Sequence, residues 1–225
     1  MRKKGQLNTI KIIILVVILT FTLLFQGCST DGKDEASKAN KSQMAGEIVE
    51  TQLTDREKEL LRGVGIDKFL VFDANIKNKN IKKIDFWVDY YEKGSFRGRC
   101  SGVGTDVEAS KDKNFKMVFS TNNSASNLLE EKLTFSISSN GSGGKGSTNI
   151  KISEKMQQTN FENIKQSEIV FGKEVILAVI VGTEGASAKY VSIDALNNKD
   201  ETIKNQANKE LLQNDYVYIV KCKFN

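Results

Sequence analysis

No histidine and no proline occurs among the 225 residues, which include only three cysteines and one tryptophan. Lack of histidine excludes Ser-His-Asp and Cys-His nucleophiles, His-ligated zinc and an imidazole pH switch. Lack of proline leaves the turns to Asn, Gly and Asp. Serine–lysine catalysis needs no histidine, and the S-x-x-K spacing occurs at Ser110–Lys113 and Ser142–Lys145. Neither is followed by a Lys-Ser/Thr-Gly strand, and both lie in polar stretches, so accidental matches in a Ser- and Lys-rich chain account for them. At Gly144-Lys145-Gly146-Ser147 a glycine separates lysine from hydroxyl, which a phosphate-binding loop does not tolerate. No cofactor is expected.

The N-terminus has a strong pattern. Arg2, Lys3, Lys4 and Lys11 precede an apolar run from Ile12 to Phe25, interrupted only by Thr20 and Thr22. A run of about 14 residues suits the h-region of a signal peptide and falls short of the about 20 that a spanning helix needs. It ends in Leu23-Leu24-Phe25-Gln26-Gly27-Cys28. This segment resembles the lipobox of bacterial lipoproteins, with Phe25 and Gln26 where that motif prefers an aliphatic and a small residue. The resemblance covers the leader only. It implies removal of residues 1–27, lipidation of Cys28 and a place on the outer face of the cell membrane. The other reading of the same segment is an uncleaved N-terminal anchor, which leaves the domain on the same side. The net charge of +5 also changes meaning. Four basic residues and no acidic ones lie in 1–27, so 29 basic and 28 acidic residues remain, a net of +1. That excludes a nucleic-acid footprint built on bulk charge.

Residues 28–52 read as a flexible tether, polar and without apolar period, which cannot bury enough surface to offset its ordering entropy. A single domain is expected over 53–225. Thr54 followed by Glu57 forms a capping box, Leu60, Leu61 and Val64 give an apolar stripe, and Gly63 and Gly65 stop the helix. Thereafter the period is two. Leu70, Phe72, Ala74 and Ile76 alternate with polar neighbours, as do Ile84, Phe86, Val88 and Tyr90. The pattern recurs at Phe115, Met117 and Phe119, at Leu133, Phe135 and Ile137, and at Thr148, Ile150 and Ile152. Such alternation marks half-buried antiparallel strands. The Gly- and Ser-rich stretch 140–147 reads as a flexible hairpin loop. Val175 to Val181 is apolar on both faces, so it should lie centrally or beneath the long loop before it. Tyr216 to Phe224 is a last strand, and 199–212 carries a short helix. The sum is a mostly β fold, an antiparallel sandwich (immunoglobulin-like or barrel-like) with one or two short helices.

Candidate sites are few. Cys100 and Cys222 share strand parity with apolar residues, as a buried disulfide or as two buried thiols. Asp85 and Asp89 share a strand face but stand about 13 Å apart, too far for a glycosidase pair of about 5–9.5 Å. Asp194, Asn197 and Asp200 gather oxygen atoms in one loop and are weak metal candidates, since Asx residues in turns usually bond their own backbone. The face with most potential is Asp85, Trp87, Asp89 and Tyr91. If Phe86 and Tyr90 point inward, two aromatics flanked by carboxylates point outward, fit to stack on sugar rings or to anchor a protein. Arg97 and Arg99 could instead pair across with the aspartates and make the face structural. The functional expectation is a surface-tethered, non-enzymatic module that binds an envelope protein or a wall glycan. The alternatives are a histidine-free hydrolase using carboxylates and a solute-binding component of a transporter.

Overall fold

The computed structural model describes residues 44–66, 68–108, 110, 113–124, 127–140, 142–151 and 158–225. The leader, Cys28 and the tether as far as residue 43 lie outside these. The strands are β1 (Met44–Glu50), β2 (Lys68–Ile76), β3 (Lys83–Glu92), β4 (Ser95–Asp106), β5 (Asn114–Ser124), β6 (Asn127–Ser139), β7 (Ser142–Lys151), β8 (Gln158–Asn163), β9 (Gln166–Val170), β10 (Glu174–Thr183) and β11 (Tyr216–Phe224). Helix α1 (Asp55–Gly63) follows β1, and α2 (Ile193–Leu196) and α3 (Glu201–Leu211) separate β10 from β11. Two open antiparallel sheets result, one ordered β7-β6-β5-β2-β1-β9 and the other β4-β3-β11-β10-β8. The fold is the expected antiparallel sandwich, with three short helices instead of one or two.

Alternation places the core. Phe72, Phe115, Phe119 and Phe135 from the six-stranded sheet meet Phe86 and Phe224 from the other, all fully buried. The Phe135 ring meets Phe86 edge-on at 5.4 Å and tilts against Phe119 at 5.4 Å, tying the layers together. Each such side chain contributes about 1.5–3 kcal/mol through burial. Thr54 caps α1 through the Glu57 N–H, and Glu57 returns a bond to the Thr54 N–H at 2.7 Å, as the capping box requires. Strand β10 lies centrally, between β11 and β8, and Val191 and Leu211 from the segment after it stand with Phe161 around Val179 and Val181.

Two expectations are corrected, and one open alternative is decided. The tether does not extend to residue 52, because Met44–Glu50 is a strand between β2 and β9, with Ala45 and Ile48 fully buried. The 140–147 loop is largely strand β7. Its Gly144 and Gly146 face inward across from Ile137 and Phe135, where β4 passes close by. A Cβ at Gly144 would stand 2.6 Å from Val103 Cγ2, and one at Gly146 would stand 3.1 Å from the Gly102 carbonyl oxygen. These glycines are thus the residues that let two strands meet, and their composition only imitates a loop. Finally, Cys100 and Cys222 form no disulfide. Cys222 pairs with Phe86 on β3, while Cys100 sits on β4 at a bulge, with β3 between them. Two inter-strand spacings of about 4.8 Å exceed the roughly 7 Å limit on Cα separation for a bridge.

Burial pushes the Cys222 thiol far up, with the Glu174 charge adding to it; burial, then Tyr90, does the same to the Tyr218 phenol. Their contribution is intact below the unfolded values of about 8.5 and 10 and is lost as pH rises above them. The unfolded groups then ionise while the folded ones hold their protons. Urea midpoints are therefore expected to fall between pH 8 and pH 10.5, by up to about 1.4 kcal/mol per pH unit per group. Cys222→Val should flatten the first part of that fall. A profile unchanged in the variant would refute the assignment to Cys222.

Candidate functional site

The outer face of the five-stranded sheet holds the aromatic–carboxylate set. Parity is as expected: Phe86 is in the core, and Asp85, Trp87, Asp89 and Tyr91 face away from it. Exposure is not. Trp87 is 3% exposed and Asp89 7%. The Arg99 guanidinium lies over the Trp87 ring, 4.3 Å from its centroid, and pairs with Asp89 at 3.7 Å. Lys221 on β11 reaches Asp89 at 2.9 Å and Glu174 at 3.4 Å. Burial alone would lower the Lys221 ammonium, but the hydrogen bond and charge of Asp89 outweigh it and hold it above its ordinary value. Asp85 binds Lys83 at 2.7 Å and accepts from the Asn225 amide at 3.0 Å. Tyr91 is half-buried against Phe96, and Arg97 pairs with Glu92 at 3.1 Å. The expected docking surface is thus corrected: cross-strand cations close it, as the arginine pairing allowed. The Trp87 indole N–H, buried, has no acceptor among the described residues.

The weak metal candidates are occupied by backbone. Asn197 holds the Ile176 N–H and carbonyl at 2.9 and 2.8 Å, and Asp200 caps α3 through the Thr202 N–H at 2.8 Å. Asp194 lies exposed in the first turn of α2. No cluster of three acidic or sulfur ligands occurs among the described residues. Ser110, of the first S-x-x-K, is buried and shares a hydrogen bond with Ser139 at 2.5 Å.

A different feature stands open. On the outer face of the six-stranded sheet, a groove of about 540 Å³ is lined by Glu47, Asp73, Asn75, Asn114, Lys116 and Ser138 together with the apolar Val49, Ala74 and Phe115. Register assembles it: Glu47 pairs with Asn75, Asn75 with Asn114, and Lys116 with both Asp73 and Ser138. Burial alone would raise the Asp73 carboxyl. The hydrogen bonds from Lys116 (2.6 Å) and Thr51, with the Lys116 charge, hold it below its ordinary value, so it is an ionised acceptor. The Asn75 and Asn114 amides have no side-chain partner among the described residues. The groove thus offers carboxylate, ammonium, amide and hydroxyl groups and can hydrogen-bond hydroxyls and amides alike. Sequence reasoning missed it because Glu47 fell in the expected tether and the others looked like a solvated strand face.

A second cleft, of about 500 Å³, is lined by Phe161, Glu162, Asn163, Lys165, Gln166 and Asp194. The Tyr190 hydroxyl donates to Glu162 Oε1 at 2.9 Å, while Glu162 Oε2 is buried without a partner among the described residues. The bond to Glu162 and the charges of Glu162 and Asp194 raise the phenol above its ordinary value.

The family described as the YgaN domain matches residues 47–224. No curated protein and no solved structure matches the chain.

Proposed function

The chain belongs to the YgaN domain family, and we propose, from its leader and its groove, that it is a lipid-anchored, extracytoplasmic, non-enzymatic binding module whose ligand is a wall polymer. The lipobox-like leader at Cys28 supports the anchoring. The open groove on the six-stranded sheet, where polar groups stand beside the apolar Val49, carries the binding. Its groups suit a chain of sugars and short peptides better than an apolar protein surface, because hydroxyls and amides there meet both donors and acceptors. The Trp87 face, closed by Arg99 and Lys221, has a structural role in this reading.

The test is co-sedimentation of the full chain with purified peptidoglycan sacculi. Wild type is expected to co-sediment, and Asn75→Ala/Asn114→Ala/Ser138→Ala to bind about tenfold more weakly, the loss of one or two net hydrogen bonds. Its urea midpoint should stay within about 0.5 kcal/mol, since the substitutions lie on the surface. Equal binding by the variant, or no binding by wild type, refutes the assignment. The cleft lined by both Glu162 and Asp194 supports the second reading, a carboxylate hydrolase. Release of soluble fragments from the same sacculi, abolished by Glu162→Gln, would establish that reading in place of the first.

A further inference from the structure

Five segments meet at the pole where the chain enters β1. Met44 pairs with Val170, and the turn Phe171-Gly172-Lys173 follows directly. The Gly172 N–H donates to the Phe224 carbonyl at 2.8 Å. The Asn225 carbonyl accepts from the Lys82 and Lys83 N–H groups at 2.6 and 2.9 Å. Ala45 accepts from the Lys77 and Asn78 N–H groups, and the Ile76 N–H donates to the Lys113 carbonyl. The β2–β3 loop, the β4–β5 connection, the β9–β10 turn and the end of β11 are thereby gathered around the start of β1.

This pole is rich in lysine. Lys77, Lys79, Lys82, Lys83 and Lys173 are exposed, and Lys113 is half-buried. The facing acids are Glu47 with Lys77 at 3.7 Å, Asp85 with Lys83 at 2.7 Å, Glu108 with Lys82, and Asp106 close to Lys83. Glu174 is engaged by Lys221. Lys79 and Lys173 have no acidic partner among the described residues. At the tip of the turn Phe171 is 49% exposed. At the other end of the strands Glu92, Glu184 and Asp215 gather around Lys93 instead: Lys93 pairs with Glu184 at 3.6 Å and its charge acts on Asp215.

We propose that this pole is a membrane-docking surface: Phe171 enters the headgroup region and the lysines around it lie against anionic lipid. The inference rests on the anchoring part of the reading above. A chain held at Cys28 reaches Met44 across at most about 55 Å, fully extended. The entry pole is therefore held near the bilayer, where exposed lysines gain from the negative surface potential and an aromatic ring gains from burial among headgroups. Exposed lysine–carboxylate pairs are weak enough to exchange for lipid phosphate.

The test is amide hydrogen exchange on the full chain reconstituted in vesicles of phosphatidylglycerol and phosphatidylcholine, or of phosphatidylcholine alone. Flotation comes first: a chain that does not float with either vesicle overturns the anchoring, and this inference with it. In floating samples, segments 77–83 and 171–173 are expected to exchange at least about fivefold more slowly on the anionic vesicles. The turn at Lys93 should be unaffected. Raising salt from 0.1 to 1 M, which shortens the screening length from about 10 to about 3 Å, should remove most of the difference. So should Phe171→Ser/Lys79→Glu/Lys173→Glu, whose far-UV circular dichroism should match wild type. Equal exchange on both vesicles, or protection at the Lys93 turn instead, overturns the docking surface while leaving the anchoring intact.

Discussion

Gly46→Ala is expected to destabilise the domain by roughly 3 kcal/mol or more. Gly46 lies at the register shift between β1 and β9 with φ at +153°, a backbone conformation that side-chain-bearing residues rarely adopt. A Cβ there would stand 2.1 Å from the Asn75 carbonyl oxygen on β2. That contact is backbone, so no rotamer change relieves it; β1 would have to move away from β2, breaking the ladder from Gly46–Ile76 to Glu50–Phe72. Urea denaturation measures the loss. Gly63→Ala is the control. Nothing lies within 4 Å of a Cβ at Gly63, in α1, so alanine should raise stability slightly, by up to about 1 kcal/mol through helix propensity. Equal midpoints for Gly46→Ala and wild type would show that β1 is not held as described.

Lys221→Met should lower stability by about 3 kcal/mol. Asp89 sits 7% exposed on the face of Trp87, and its nearest cation is the Lys221 ammonium at 2.9 Å. Removing that ammonium leaves a buried carboxylate with only Arg99 at 3.7 Å, whose side chain is half exposed. Adding Asp89→Leu should restore much of the loss, because a well-packed apolar pair often equals a buried ion pair. Arg99→Ala alone should cost only about 1 kcal/mol, through a weak pair and a cation over an indole ring. If Lys221→Met were neutral, the Trp87 face would not depend on charge pairing and its role in binding would reopen. The pH sign follows from the raised Lys221 ammonium: its contribution is whole below about pH 10.4 and is lost as pH climbs past the folded value.

What was legible in the chain follows physical lines. Strands β2, β3, β5 and β6 each bury an alternating apolar set, so period two identified them; β10 and β11 stood out as runs apolar on both faces, and a local capping box identified α1. The second half of strand β7 was read from Thr148 and Ile150, but its first half was illegible because its inward positions there are Gly144 and Gly146, chosen for the nearness of β4, a neighbour that the local pattern does not contain. Strand β1 is short and follows a polar segment, and β8 and β9 are largely polar. Parity correctly turned Trp87 away from the core. It could not show that Arg99 and Lys221, from the two flanking strands, would cover that ring and Asp89. The groove was hidden for a related reason. Glu47, Asn75, Asn114 and Ser138 become neighbours only once four strands are in register.

The position of β1 has a mechanical consequence. Tension transmitted through the preceding chain enters the domain at Met44, on a strand bonded along both edges, to β2 and to β9. A pull along such a strand loads both ladders in shear, so many hydrogen bonds bear the force together, whereas an edge strand pulled sideways gives way one bond at a time. Forced unfolding is governed by the barrier to the first rupture. A domain pulled through β1 should therefore unfold at a higher force than one pulled through an edge strand.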